Sequence, residues 1–184
     1  MWAVGALYNT RLSLEQMPDV AHVIAAKPQY LWNTKDKSEI FSLRASYEPW
    51  TQSNFLPINT AFQRESSGDA WWQILFDLRT DVGEYTKAGI DPTRTYDSFL
   101  RSGARFGFTV STPADGAHIV LNVTETMMYG LKGGVRRLSF FDSSLSFYFD
   151  STSRFAVTLK YTKGQDVDTT EWNQKAVVGI AAKF

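Results

Sequence analysis

The sequence predicts an all-β fold, an antiparallel up-and-down β-barrel of about ten strands. Three observations predict it. Apolar and polar residues alternate with period two in long runs, the pattern of strands whose two faces meet different surroundings. Short clusters of Gly, Pro, Asp, Asn and Ser separate those runs, and these are the residues of tight turns. Aromatic residues make up 15% of the 184 residues, and aromatics are enriched in strands.

Each strand follows from its alternation. Residues 40–48 set Phe41, Leu43, Ala45 and Tyr47 against Ser42, Arg44, Ser46 and Glu48. Residues 72–82 set Trp72, Ile74, Phe76, Leu78 and Val82 against Gln73, Asp77, Arg79 and Asp81. Residues 104–111 set Phe106, Phe108 and Val110 against Arg105, Gly107, Thr109 and Ser111. Around 141–149, Phe141, Leu145, Phe147 and Phe149 oppose Asp142, Ser144, Ser146 and Tyr148. From Arg154 onward, Phe155, Val157, Leu159 and Tyr161 oppose Arg154, Ala156, Thr158, Lys160 and Thr162. The last run, 175–184, aligns Ala176, Val178, Ile180, Ala182 and Phe184. Weaker strands are drawn at 2–12, 21–32, 54–64 and 118–130, which makes ten. Pro57 counts against 54–64, because proline donates nothing to a ladder. Trp71, Ile74, Leu75, Leu78 and Val82 also satisfy helical spacing, but a helix would leave Trp72 and Phe76 outside it, so the strand is preferred.

Composition removes several classes. Nineteen basic residues balance nineteen acidic ones, which argues against a nucleic-acid binder. The absence of cysteine excludes a disulfide scaffold, a thiol nucleophile and a thiolate metal site. The opening residues lack the basic, apolar and small-residue regions of a signal peptide. Nowhere do 18 apolar residues run together, so no transmembrane helix is expected. Soluble folds and membrane β-barrels remain. A strand length near ten suits a tilted membrane strand, which needs roughly 9–11 residues. The chain is expected to be a single transmembrane barrel domain over 1–184, or the C-terminal part of a longer barrel.

The segment from Ala176 to Phe184 resembles the terminal β-signal of bacterial outer-membrane β-barrel proteins. Phe184, Ala182, Ile180, Val178 and Ala176 match its alternation and its terminal aromatic residue, although a larger residue is commoner at the place of Ala182. The resemblance covers about ten residues plus the barrel-like patterning of the chain, so it points to a superfamily. It implies an integral outer-membrane location, lipid as a partner, and recognition of Phe184, Ile180 and Val178 by the outer-membrane assembly machinery.

In such barrels periplasmic turns are short and external loops longer. With the last strand ending on the periplasmic side, the periplasmic connections are 150–153, 113–117, 65–69 and 33–38. The external ones include 163–172 and 83–102. This bookkeeping requires 54–64 to be a full strand. It places Trp2, Tyr30, Trp32, Phe41, Trp72, Phe147, Phe149, Phe155 and Phe184 at periplasmic ends. Tyr8, Tyr47, Trp50, Phe106, Tyr129, Tyr161 and Trp172 fall at external ends. Two aromatic belts with aliphatics between them form a lipid-facing girdle pattern. Strict alternation from Ile119 would put Glu125 on the lipid face, so a bulge or face switch is expected near 124–127. Asp91, Pro92 and a stripe of Tyr96, Phe99 and Leu100 read as a helical turn in the long loop, ending at Gly103.

The other strand faces collect Arg44, Glu48, Gln73, Asp77, Arg79, Asp81, Arg105, Arg154 and Lys160 as lumen-facing residues. In a narrow barrel these charges pair and fill the interior; in a wider one they would line an aqueous path. Catalytic signals are thin. His22 and His118 are the two histidines, and the residues two along are Ile24 and Val120, so the His-x-Ser spacing of outer-membrane phospholipases is missing. Asp77 and Asp81 are separated by Arg79 and read as an ion-pair ladder before an acid–base pair. No catalytic residue, metal or cofactor is assigned. The expected function is an integral outer-membrane barrel for transport, permeation or anchoring of an assembly. A soluble β-barrel binding an apolar ligand and a membrane-embedded lipid hydrolase are the alternatives.

Overall fold

A computed structural model describes residues 2–5, 8–13, 20–32, 37–51, 57–63, 70–90, 98–114, 117–133, 136–149, 155–166 and 172–182. The described residues form one antiparallel sheet and no helix. Its strands are β1 (Trp2–Gly5), β2 (Tyr8–Ser13), β3 (Val20–Trp32), β4 (Ser38–Thr51), β5 (Phe62–Gln63), β6 (Trp71–Ala88), β7 (Ser98–Ala114), β8 (Ala117–Lys132), β9 (Arg137–Tyr148), β10 (Phe155–Gln165) and β11 (Trp172–Ala182). The order is β1-β3-β4-β6-β7-β8-β9-β10-β11, with β2 also on β3 and β5 also on β6. β1 and β2 keep one register along β3, from Trp2↔Trp32 to Ser13↔Ala21, so they act as one interrupted strand. Eight long strands follow in up-and-down sequence. Among the described residues β11 pairs only with β10, and the sheet is not closed.

The expected strand at 54–64 is not a full one. β4 pairs directly with β6, from Ser38↔Ala88 to Tyr47↔Leu78. Beyond Tyr47 the two strands splay, and 57–60 wedges between them. Asn59 takes a left-handed backbone at φ 55, and its carboxamide replaces the missing ladder. Its Nδ2 donates to the Pro49 and Phe76 carbonyls at 2.8 and 2.6 Å, and its Oδ1 accepts from the Phe76 N–H at 2.9 Å. Pro57 is tolerated because its carbonyl, which needs no N–H of its own, accepts from Ile74 N–H at 3.3 Å.

Losing that strand reverses the expected ends of everything before it. We call "lower" the end at which β11 finishes. Connections 52–70, 115–116 and 149–154 are lower; 33–37, 89–97, 133–136 and 166–171 are upper. The connection 33–37 therefore joins strand ends on the same side as 89–97 and 166–171, opposite to expectation. The longest connection, 52–70, is lower, because β4 ends and β6 begins there, and it carries the wedge and β5.

The expected helical turn over 91–97 falls outside the described residues, but its C-terminal part is strand. Phe99 and Leu100 belong to β7, and Gly103 sits mid-strand, where a Cβ would come within 1.9 Å of the Met127 carbonyl oxygen. Strand pairing runs past the alternating run because Tyr85 and Phe99 pack edge-on at 6.0 Å. Gly83, opposite Phe99, leaves the room that this ring needs.

Partner rows run obliquely across the sheet. The row from Thr10, low on β2, passes Ile24, Tyr47, Leu78, Ala104, Met127 and Ser139. It reaches the upper ends of β10 and β11 near Gln165 and Trp172. At about 3.4 Å per residue and about 4.8 Å between strands this is a slant of roughly 35°, close to what a sheet needs to roll up.

Candidate functional site: the buried polar face

The register divides the sheet into two unlike faces. One carries Ile24, Tyr30, Trp32, Phe41, Leu43, Ile74, Leu78, Val82, Phe106, Phe108, Leu121, Leu145, Phe147, Leu159, Val178 and Ile180. These large apolar side chains are exposed or half-buried, with Phe41 at 50% and Ile180 at 83%. The other face carries Gln29, Ser42, Asp77, Asp81, Arg101, Thr109, Ser111, Thr126 and Thr162, all buried. Asp77 and Asp81 are each 1% exposed. A single layer can bury one face only by curling over it, so the polar face is concave. The arrangement inverts the usual one, in which apolar side chains are the buried ones.

At the centre of the concave face, β4, β6 and β7 bring four guanidinium groups to two carboxylates. Alternation puts Asp77, Arg79 and Asp81 on one side of β6, and the register sets Arg44 and Arg101 opposite Asp81, and Arg105 opposite Asp77. Arg44 holds Asp81 through both oxygens, at 2.9 and 3.1 Å. Arg101 Nη2 lies 3.7 Å from Asp81, and its guanidinium sits 4.3 Å over the Phe99 ring. Arg79 and Arg105 each donate an Nε–H to one oxygen of Asp77. Both carboxylates are thus bonded by charged donors, which offsets the cost of burying them. Towards the upper end the same face turns apolar: Leu31, Ile40, Tyr85 and Phe99 form one buried cluster, and Met128 and Leu138 another.

Between β9 and β11 the concave face is different. A cavity of about 560 Å³ is lined in part by Asp142, Thr158, Lys160, Thr162, Asn173 and Lys175. Lys160 pairs with Asp142 at 2.7 Å and remains half exposed. Thr162 Oγ1 is buried without a hydrogen-bond partner.

The structure places Arg44, Glu48, Gln73, Asp77, Arg79, Asp81, Arg105 and Lys160 on this one face. It brings Arg44, Asp77, Arg79, Asp81 and Arg105 together; Glu48, opposite Val23, and Gln73, opposite Thr109, stand apart from that cluster. Arg154 and Phe184 lie outside the described residues. Arg101 was missed because 83–102 read as loop; extending the alternation back from Arg105 through Gly103 would have found it. Asn59 had no periodic signal at all.

The aromatic positions need correcting as the ends do. Trp32 and Phe41 are at the upper end with Tyr129 and Trp172, and Trp2 pairs there with Trp32. Tyr47 and Trp50 are at the lower end with Trp72, Phe147, Phe149 and Phe155. Phe106 sits mid-strand, 5.1 Å from Phe76, and Tyr161 lies just above the middle of β10, 6.3 Å from Phe141. Val178 and Ile180 are on the apolar face of β11.

No bulge interrupts β8 near Glu125, which pairs continuously with Phe106 and Phe141 and stays on the apolar face. Ser139 Oγ donates to its carboxylate, and this partner on the same face removes the need for a face switch. Thr80 and Ser102 likewise share a 3.1 Å hydrogen bond on that face.

The two histidines stand on opposite faces. His22 shares a 2.7 Å hydrogen bond with the Tyr47 hydroxyl, and His118 stacks on Tyr148 at 4.5 Å. No group of three or more potential metal ligands occurs among the described residues. Comparison with protein-family models, curated proteins and solved structures gives no match.

Proposed function

We propose that the chain is an integral outer-membrane β-barrel whose apolar face meets lipid and whose concave face forms the interior. One observation carries this reading: the exposed face is apolar and aromatic, while the buried face holds the charges. In water the exposed apolar face would be far larger than the few hundred Å² that soluble monomers leave open. In a bilayer it meets a solvent of its own kind, and the aromatic residues near both strand ends suit the headgroup levels. Arg137 beside the Tyr129 ring and Lys163 at the upper ends can extend to the headgroups.

Within that class the interior favours anchoring or scaffolding of an outer-membrane assembly over free permeation. The paired arginines and aspartates occupy the middle of the concave face, and apolar clusters occupy its upper end. Transport remains the second role, favoured by the polar cavity beside β11. Val178 and Ile180, with Phe184, would serve as the assembly signal.

Refolding into lipid vesicles tests the reading. The protein should resist carbonate extraction and migrate faster on a gel before heating than after. A spin label replacing Phe106 should be accessible to oxygen dissolved in lipid, and one replacing Arg105 should not. A chain that stays soluble without detergent, or a label at 106 in contact with water, would sink it.

A further inference from the structure

Among the described residues β11 has a bare edge, and it is exposed on both faces. Val178 is 70% and Val177 47% exposed, and a Cβ on Gly179 would meet nothing within 4 Å. A bilayer offers no hydrogen bonds to such an edge, so a membrane strand must find a partner. The other edge of the sheet is the interrupted strand of β1 and β2. Counted with it, the sheet has nine strands in up-and-down order, so both edge strands run from the upper to the lower end. They cannot meet as antiparallel neighbours. A second copy inserted in the same direction offers no antiparallel partner either, because its edges run the same way.

The two edges fit each other as parallel strands. They have nearly equal lengths, 2–13 against 172–182, and each begins with Trp at the upper end. In β1 and β2 the even positions 2, 4, 8, 10 and 12 pair with apolar-face positions of β3. In β11 the even positions 172 to 182 pair with apolar-face positions of β10. Setting Trp2 beside Trp172 and Thr10 beside Ile180 therefore keeps every position on its own face, whereas a slip of one would reverse them all. The row that leaves Thr10 returns at Trp172, so closure there needs a stagger of about eight residues, an even number that conserves the faces.

Resting on the membrane reading, we propose that the interrupted strand of β1 and β2 docks in parallel on β11 and closes a nine-stranded barrel. Bacterial single-chain barrels have even strand numbers, so nine strands would depart from them as the 19 strands of a mitochondrial barrel do; an odd number of up-and-down strands closes only through one parallel pair. The seam is the weakest joint of the wall, since parallel pairing is slightly less stable per residue.

The chain has no cysteine, so paired cysteines report the seam directly. A Thr10→Cys, Ile180→Cys variant in vesicles should form a disulfide within one chain, and Thr10→Cys, Gly179→Cys should not. Each single variant should give no dimer. Dimers would place the seam between copies, and no cross-link in carbonate-resistant protein would mean that β11 takes a strand from elsewhere; both overturn the proposal and leave the membrane reading standing. Protein lost to carbonate would overturn both. Should the variants misfold, amide exchange on the unaltered chain decides. The Phe149 N–H bonds the Phe155 carbonyl, so the odd residues of β11 bond to β10 and the N–H groups of Val178 and Ile180 face the seam. Those two should exchange roughly 100-fold or more slower than loop amides, and loop-like exchange would overturn the seam.

Discussion

The concave face is built in two ways. Across β4, β6 and β7 it is a closed ion-pair network around two carboxylates that are almost inaccessible. Across β9, β10 and β11 it is Ser, Thr, one half-exposed ion pair and a cavity. Both stretches alternate with the same period and share one sheet. What separates them is the neighbourhood: among the described residues the central strands have partners on both sides, and β11 has one. Charge is retained in the middle where several donors converge on each carboxylate, and the edge carries groups that water can still reach.

The largest break in this comparison is expected at Asp77. Asp77→Ala leaves Arg79 and Arg105 facing each other in a buried site without their counter-ion. Removing one partner of a buried pair costs about 3–5 kcal/mol. Urea unfolding of vesicle-refolded protein should show a loss of that size. The double variant Asp77→Ala, Arg105→Ala should recover part of it, because one uncompensated charge has gone. A loss below about 1 kcal/mol would mean that the network is hydrated.

The next effect tests the opposite face. Leu78→Arg puts a cation at a mid-strand position of the apolar face, beside Tyr47 and Ala104. In lipid this costs roughly 2–4 kcal/mol near the midplane. At an exposed site in water it would stay within about 0.5 kcal/mol. The same unfolding measurement therefore discriminates between the two solvents. Arg at Trp172, at an upper strand end, should cost much less.

Asn59→Ala tests the wedge. It removes three hydrogen bonds and leaves the Phe76 N–H without its acceptor, which should cost about 1–3 kcal/mol. Exchange should speed up at Phe76 and leave Thr126 unaffected, since only the lower ends of β4 and β6 depend on the wedge.

These expectations also mark how much of the molecule the sequence disclosed. Period-two alternation gave the faces of β4, β6, β7, β9, β10 and β11 residue by residue, because a strand fixes its faces by geometry alone. It therefore places Arg44, Asp77, Arg79, Asp81 and Arg105 on one face. It could not give the ends. A single irregular segment, 57–63, decides which end every earlier residue occupies, and its structure rests on one side chain imitating a backbone. Trp32 and Tyr47 changed ends for that reason. Arg101 escaped because the apolar pair Tyr85 and Phe99 prolongs two strands beyond the regular alternation. Glu125 asks for a bulge or face switch when alternation is followed along one strand at a time, whereas its partner, Ser139, comes from the next strand.

The smallest effect completes the comparison. Asp142→Ala removes the carboxylate of the exposed pair beside the cavity. Lys160 is half exposed and can turn to water, so the loss should stay below about 1 kcal/mol. The contrast with Asp77 is then a ratio of three or more for the same deletion on the same face, set by exposure alone. The ratio depends on the seam. If β11 gains a neighbour in the bilayer, the cavity beside it is shielded from bulk water and the Lys160–Asp142 pair behaves more like the central ones. Measuring Asp142→Ala in vesicles and again in mild detergent with the Thr10→Cys, Ile180→Cys bridge reduced would expose that dependence. A larger loss in vesicles is the outcome expected of a closed wall, and equal losses are the outcome of an open one.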